Sequence, residues 1–175
     1  MDAAPVGGAR VVSCFRMTGE RAADYLREAI RLARENVERG VGGPFGAVVV
    51  RDGEILATGT NLVTSTADPT AHAEVVAIRS ACRALGSFQL TGCELYASCE
   101  PCPMCLGAIY WARPRRVVFA SSAHDAADAG FDDSFIYDEI RLPRGRRRMP
   151  LEQLRVPEAG REFDAWREAE DRIEY

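Results

Sequence analysis

The stretch SCEPCPMCLG places Cys99, Cys102 and Cys105 at intervals of three. Three chemistries use cysteines so closely spaced. A bacterial-type iron–sulfur run continues C-x2-C-x2-C-x3-C, but Ile109 stands at the fourth position and no cysteine follows Cys105. A structural zinc needs four closed ligands, and a Cys3His set with His72 would supply them. A catalytic zinc needs three ligands and an open position. Proline-rich PCPMC reads as the start of a helix, so Cys102 and Cys105 share one face of its first turn and can grip one ion. Cys99 ends the preceding strand pattern and points elsewhere, as a small buried residue would.

His72 and Glu74 tip the choice. His72 is one of two histidines and stands in His72-Ala73-Glu74, thirty residues before PCPMC. Together they make H-x-E…P-C-x-x-C, the signature of zinc-dependent base and nucleoside deaminases. Two helix N-termini then converge on one ion, and their positive ends favour thiolates. Zn²⁺ with two thiolates and a neutral imidazole carries no formal charge, so a water can take the fourth place. Glu74 is a candidate general base beside it. On a regular helix His72 and Glu74 diverge, so the metal must lie near the helix end.

The elements that must position these residues follow from periodicity. Apolar residues recur at Ala22, Leu26, Ala29, Ile30, Ala33 and Val37, an amphipathic helix closed by Gly40. GVGGPFG turns the chain into AVVVRDGEILATGT, where Asp52-Gly53 marks a hairpin. DPTAHAEVVAIRSACRAL predicts a helix with Asp68 as N-cap and Pro69 at its first position. CELYAS and RRVVFAS predict strands on either side of the PCPMC helix. This alternation predicts a layered α/β/α domain with parallel pairs after the hairpin. Residues 1–19 read as a mobile N-terminal extension outside the domain, which spans 20–175, and REFDAWREAEDRIEY reads as a C-terminal helix.

The chain of 175 residues suits one domain, with 47% hydrophobic and 27% charged residues and a net charge of −4. All 22 of its positive side chains are arginine. The negative balance argues against nucleic acid as a partner, since phosphate binding needs a positive field. No apolar run approaches the roughly 20 residues that span a bilayer. With no signal-peptide pattern, the cysteines suggest a reducing, cytoplasmic setting and metal ligation in place of disulfides.

PFGAVVV, DPTAHAEVVAIR, YASCEPCPMCLGAIYWARP, AGFDDSFIYDEI and DAWREAEDRIEY resemble the bacterial guanine deaminases of the cytidine-deaminase-like fold. The resemblance covers roughly residues 20–175, and GFDDSFIY and the terminal EY are the parts that point to guanine. It implies a three-layer α/β/α sandwich with a five-stranded mixed sheet. It also implies one catalytic Zn²⁺ per subunit held by His72, Cys102 and Cys105, and a homodimer exchanging C-terminal segments. By position, Asn61 would hydrogen-bond the purine, Phe45 and Trp111 would wall the pocket, and Asp133 would recognise the ring edge. Tyr175 would close the partner's pocket. The expected activity is hydrolysis of guanine to xanthine and ammonia in purine catabolism, with Glu74 moving the protons.

Plainer readings stand beside these. Asn61 can simply make a turn, Trp111 can be core, and Asp132 or Asp133 can cap a helix beginning at Ser134. His124 reads as a surface residue, and Arg144, Arg146, Arg147 and Arg148 as a solvated loop. Other amino-heterocycles (guanosine, cytosine, an aminotriazine) and tRNA adenosine are alternative substrates at the same zinc. A zinc-stabilised binding module is the non-enzymatic alternative.

Overall fold

The computed structural model describes residues 10–174. The chain falls into two compact units, one ending at Asp133 and one running from Ser134 to the C-terminus. The first holds α1 (Arg10–Glu38), β1 (Gly46–Arg51), β2 (Glu54–Thr60), α2 (Val63–Thr66), α3 (Ala73–Leu85), β3 (Cys93–Cys99), α4 (Pro103–Ala112), β4 (Arg116–Ser121) and α5 (Ala123–Asp128). The second holds α6 (Ser134–Arg141), a 3-10 turn (Arg144–Arg146) and α7 (Arg161–Glu168).

Four strands form the sheet, in the order β2-β1-β3-β4. The fifth strand expected from the resemblance is not there: among the described residues the sheet ends at β4. Only four runs in the sequence carry strand patterning, and the fifth came with the resemblance. The expected pairing also changes. β1 runs antiparallel to β2 and to β3, and only β3 and β4 are parallel. The sheet is mixed, as expected. Asp52 (φ 53°) and Gly53 (φ 82°) form the hairpin turn, both in the left-handed region that such a two-residue loop demands.

Side-chain alternation separates the two faces. Ala47, Val49, Leu95 and Ala97 pack with Ala73, Ala77 and Ile109 from α3 and α4. Val48, Val50 and Tyr96 point the other way, against Tyr25, Leu26 and Leu32 of α1. Strands buried on both faces read as unbroken apolar runs, which explains AVVV. The α1 helix begins at Arg10, ahead of the apolar periodicity. Its buried stripe includes Ala29, Ala33 and, at the next core-facing position, the polar Asn36, while Ile30 and Val37 are exposed.

Gly59 of β2 lies under the start of α3, where a Cβ would run into the Ala73 carbonyl. The helix carrying the deaminase signature therefore rests directly on the strand. Gly59→Ala should destabilise the fold by about 1–3 kcal/mol, the usual cost of overpacking a tight core. It should also lower zinc content by displacing the first turn of α3. Urea denaturation and metal analysis of the purified variant check both.

Candidate metal centre

α3 and α4 start beside each other, and each offers its ligands from its first turn. His72 is the N-cap of α3, in extended conformation (φ −69°, ψ 155°), and Glu74 lies in the first turn after it. Asp68 was expected to cap this helix. Instead its carboxylate accepts from the Thr70 N–H at 2.8 Å and the Thr70 hydroxyl at 2.7 Å, closing a local turn ahead of the helix. Because His72 sits outside the helix, its ring and the Glu74 carboxyl need not diverge. Cys102 is the N-cap of α4, with Pro103 beginning the helix. Its Sγ accepts from the Cys105 N–H at 3.5 Å.

His72 Nδ1 lies 3.5 Å from the Sγ of Cys102 and 3.5 Å from that of Cys105. All three donor atoms fall within 4.8 Å of one another, and among the described residues no other such cluster of His, Cys, Asp and Glu occurs. Tetrahedral Zn–S and Zn–N bonds separate sulfur from nitrogen by about 3.5 Å, so the donor set fits a zinc ion. Cys99 stays out of the cluster. It is buried, and its thiol donates to the Ser122 carbonyl at 3.4 Å. Three protein ligands leave the open position of a catalytic zinc.

The electrostatics suit a cation. The Cys102 thiol is held down to about 4, chiefly by the hydrogen bond from Cys105 and also by that from His72. Cys105 is pushed up, by the hydrogen bond to Cys102 and by burial. His72 is raised, first by its hydrogen bond to Cys102. The two thiols are pushed in opposite directions, and a metal ion that takes both as thiolates must displace their protons. Glu74 is buried, and desolvation raises its carboxyl above the ordinary range. Asp133 is raised too, by burial and then by the negative charge of Cys102.

The sequence pattern of the family described as cytidine and deoxycytidylate deaminase zinc-binding region matches residues 20–121. The chain belongs to that family. Among its relatives in this deaminase family is the guanine deaminase of Bacillus subtilis, 58% identical over 151 residues, 86% of this chain and 97% of the relative. The solved structure of guanine deaminase from Bacillus subtilis superposes with a TM-score of 0.86 at 57% identity, covering 87% of this chain and 98% of that one. The tRNA-specific adenosine deaminase of Aquifex aeolicus is 44% identical over 119 residues, 67% of this chain and 77% of the relative. The chain is thus a zinc-dependent deaminase by family and by donor set.

Asn61 is buried directly after β2, with its Oδ1 accepting from the Val63 N–H at 3.2 Å. Phe45 precedes β1 and meets Phe131 edge to face, ring centroids 5.0 Å apart. Phe131 escaped the sequence reading, although AGFDDSFIY contains it. Trp111 is exposed on α4, so the plain reading of it as core is ruled out. Tyr175 lies outside the described residues. His124 is exposed and faces Asp128 at 3.7 Å, away from any ligand role. Among the described residues no helix is long and apolar enough to cross a membrane.

Proposed function

We propose that the protein hydrolyses guanine to xanthine and ammonia. The observation that carries this reading is the extent of the match: it spans 97% of a guanine deaminase at 58% identity, against 77% of a tRNA-specific adenosine deaminase at 44%. The net charge of −4 also disfavours a tRNA substrate.

Zinc, when bound, supplies Lewis acidity that makes water acidic enough to ionise near neutral pH. Glu74 accepts the proton of the water that attacks C2 and returns it to a ring nitrogen. It then carries the second proton to the departing amine, which leaves as ammonia. Burial raises the Glu74 carboxyl toward the working pH, where a shuttle is most effective. Phe45 and Trp111 supply apolar walls and Asn61 a hydrogen bond to the ring. With Oδ1 occupied by a main-chain N–H, Asn61 presents its Nδ2 as a donor, so it meets an acceptor on the purine. Asp133 accepts from the N–H groups of the ring edge, and this selects guanine. Ammonia release from guanine, guanosine, adenine, cytosine and cytidine tests the reading. Turnover of adenine or cytosine above guanine would overturn it.

The reading includes a cytoplasmic homodimer in which C-terminal segments are exchanged and Tyr175 covers the partner's purine. Exposed Phe163, Trp166 and Ile173 in the C-terminal unit support a docking role for that segment. Deleting Glu174 and Tyr175 should cut guanine turnover at least about tenfold, as losing a closing lid does. Zinc content and melting temperature should stay as they are. Full activity per intact dimer would remove the lid.

A further inference from the structure

Asn36 is a polar residue on the core-facing stripe of α1, 5% exposed. Leaving a side-chain amide there without partners would be costly. Its Nδ2 donates to two main-chain carbonyls, that of Gly43 at 3.0 Å and that of Asn61 at 2.8 Å. One amide group therefore ties the loop before β1 to the segment after β2. The loop is tight. Phe45 N–H donates to the Gly43 carbonyl at 2.9 Å, and Asn61 N–H donates to the Phe45 carbonyl at 3.1 Å. A Cβ on Gly42 would collide with the Asn61 carbonyl, the same oxygen that Asn36 holds. Past Asn61, the Leu62 N–H donates to the carbonyl of Ala71, the neighbour of His72.

We propose that Asn36 is a positioning residue for substrate recognition: by clamping the Gly43 and Asn61 carbonyls it fixes Phe45 and Asn61 where the purine docks. Its two hydrogen bonds go to main-chain carbonyls and to neither the metal ligands nor Glu74, so its influence falls on binding and not on proton transfer. This inference rests on the roles assigned above to Phe45 and Asn61.

The test is Asn36→Ala in the full chain, with Asn61→Ala and the double variant beside it. Asn36→Ala should raise KM for guanine at least about tenfold while kcat stays within about threefold, the signature of lost binding. Zinc content should be unchanged. The loss in the Asn36→Ala/Asn61→Ala double variant should be smaller than the product of the two single losses, because Asn36 acts in part by holding Asn61. Amide hydrogen exchange should speed up at Gly43, Phe45 and residues 61–63 and not in β3. Should the alanine variant fail to fold, Asn36→Ser, which keeps a donor for one of the two carbonyls, carries the test and should still raise KM at least about threefold with kcat unchanged. Unchanged KM in a folded variant, a matched fall in kcat, or effects that multiply in the double variant would overturn the assignment. If the wild type releases no ammonia from guanine, the functional reading falls instead, and the exchange measurement still decides whether Asn36 clamps the two segments.

Discussion

Glu74→Gln should abolish turnover and leave the zinc in place. The amide is nearly isosteric with the carboxyl and cannot accept and return a proton. The side chain is buried at the first turn of α3, two residues after His72 and outside the three-residue donor cluster. Removing its charge therefore leaves the ligands intact. It also removes a desolvated acid, so stability should not fall. Under the proposed mechanism one group performs every proton transfer, so the rate should drop by more than about 10²–10⁴-fold, the usual contribution of a single acid–base step. Steady-state ammonia release and metal analysis on the same preparation check it. A variant that keeps more than about a tenth of the wild-type rate would sink the assignment.

Cys102→Ser and Cys105→Ser should each lose the metal, whereas Cys99→Ser should keep close to one zinc per chain. The distances separate the three. Cys102 and Cys105 lie 3.5 Å from His72 Nδ1, and the Cys99 thiol is engaged with the Ser122 carbonyl. A serine hydroxyl is a far weaker zinc ligand than a thiolate, and with three protein ligands there is no spare to compensate. The starts of α3 and α4 meet at this site, so loss of the ion should also lower the melting temperature, as metal binding is coupled to folding. Zinc per chain and thermal unfolding of the three variants, with and without a chelator, decide it. Loss of zinc from Cys99→Ser would favour a closed Cys3His site and remove the open position that catalysis needs.

The zinc ligands were legible in the sequence because their chemistry is local. Two cysteines three apart at a proline-started helix must share a face, and H-x-E in a second helix start completes the set. The four strands and the hairpin at Asp52-Gly53 were legible for the same reason, since alternation and left-handed turn residues act over a few positions. What tertiary structure decided is non-local. DPTAHAEVV allows Asp68 either to cap the helix or to bond Thr70 two residues on, and the packing of α3 on β2 goes with the second, with His72 at the N-cap. The antiparallel pairing of β1 with β3 joins strands more than forty residues apart, and an order of elements does not fix direction. Asn36 belongs to a helix whose periodicity pointed to its neighbour Val37 as the buried residue. Its side chain reaches Asn61, 25 residues away, through hydrogen bonds that exist only once α1 lies across the sheet. Local propensity selects elements and donor atoms, whereas the partners of a buried polar group are chosen by whatever the fold brings within about 3 Å of it.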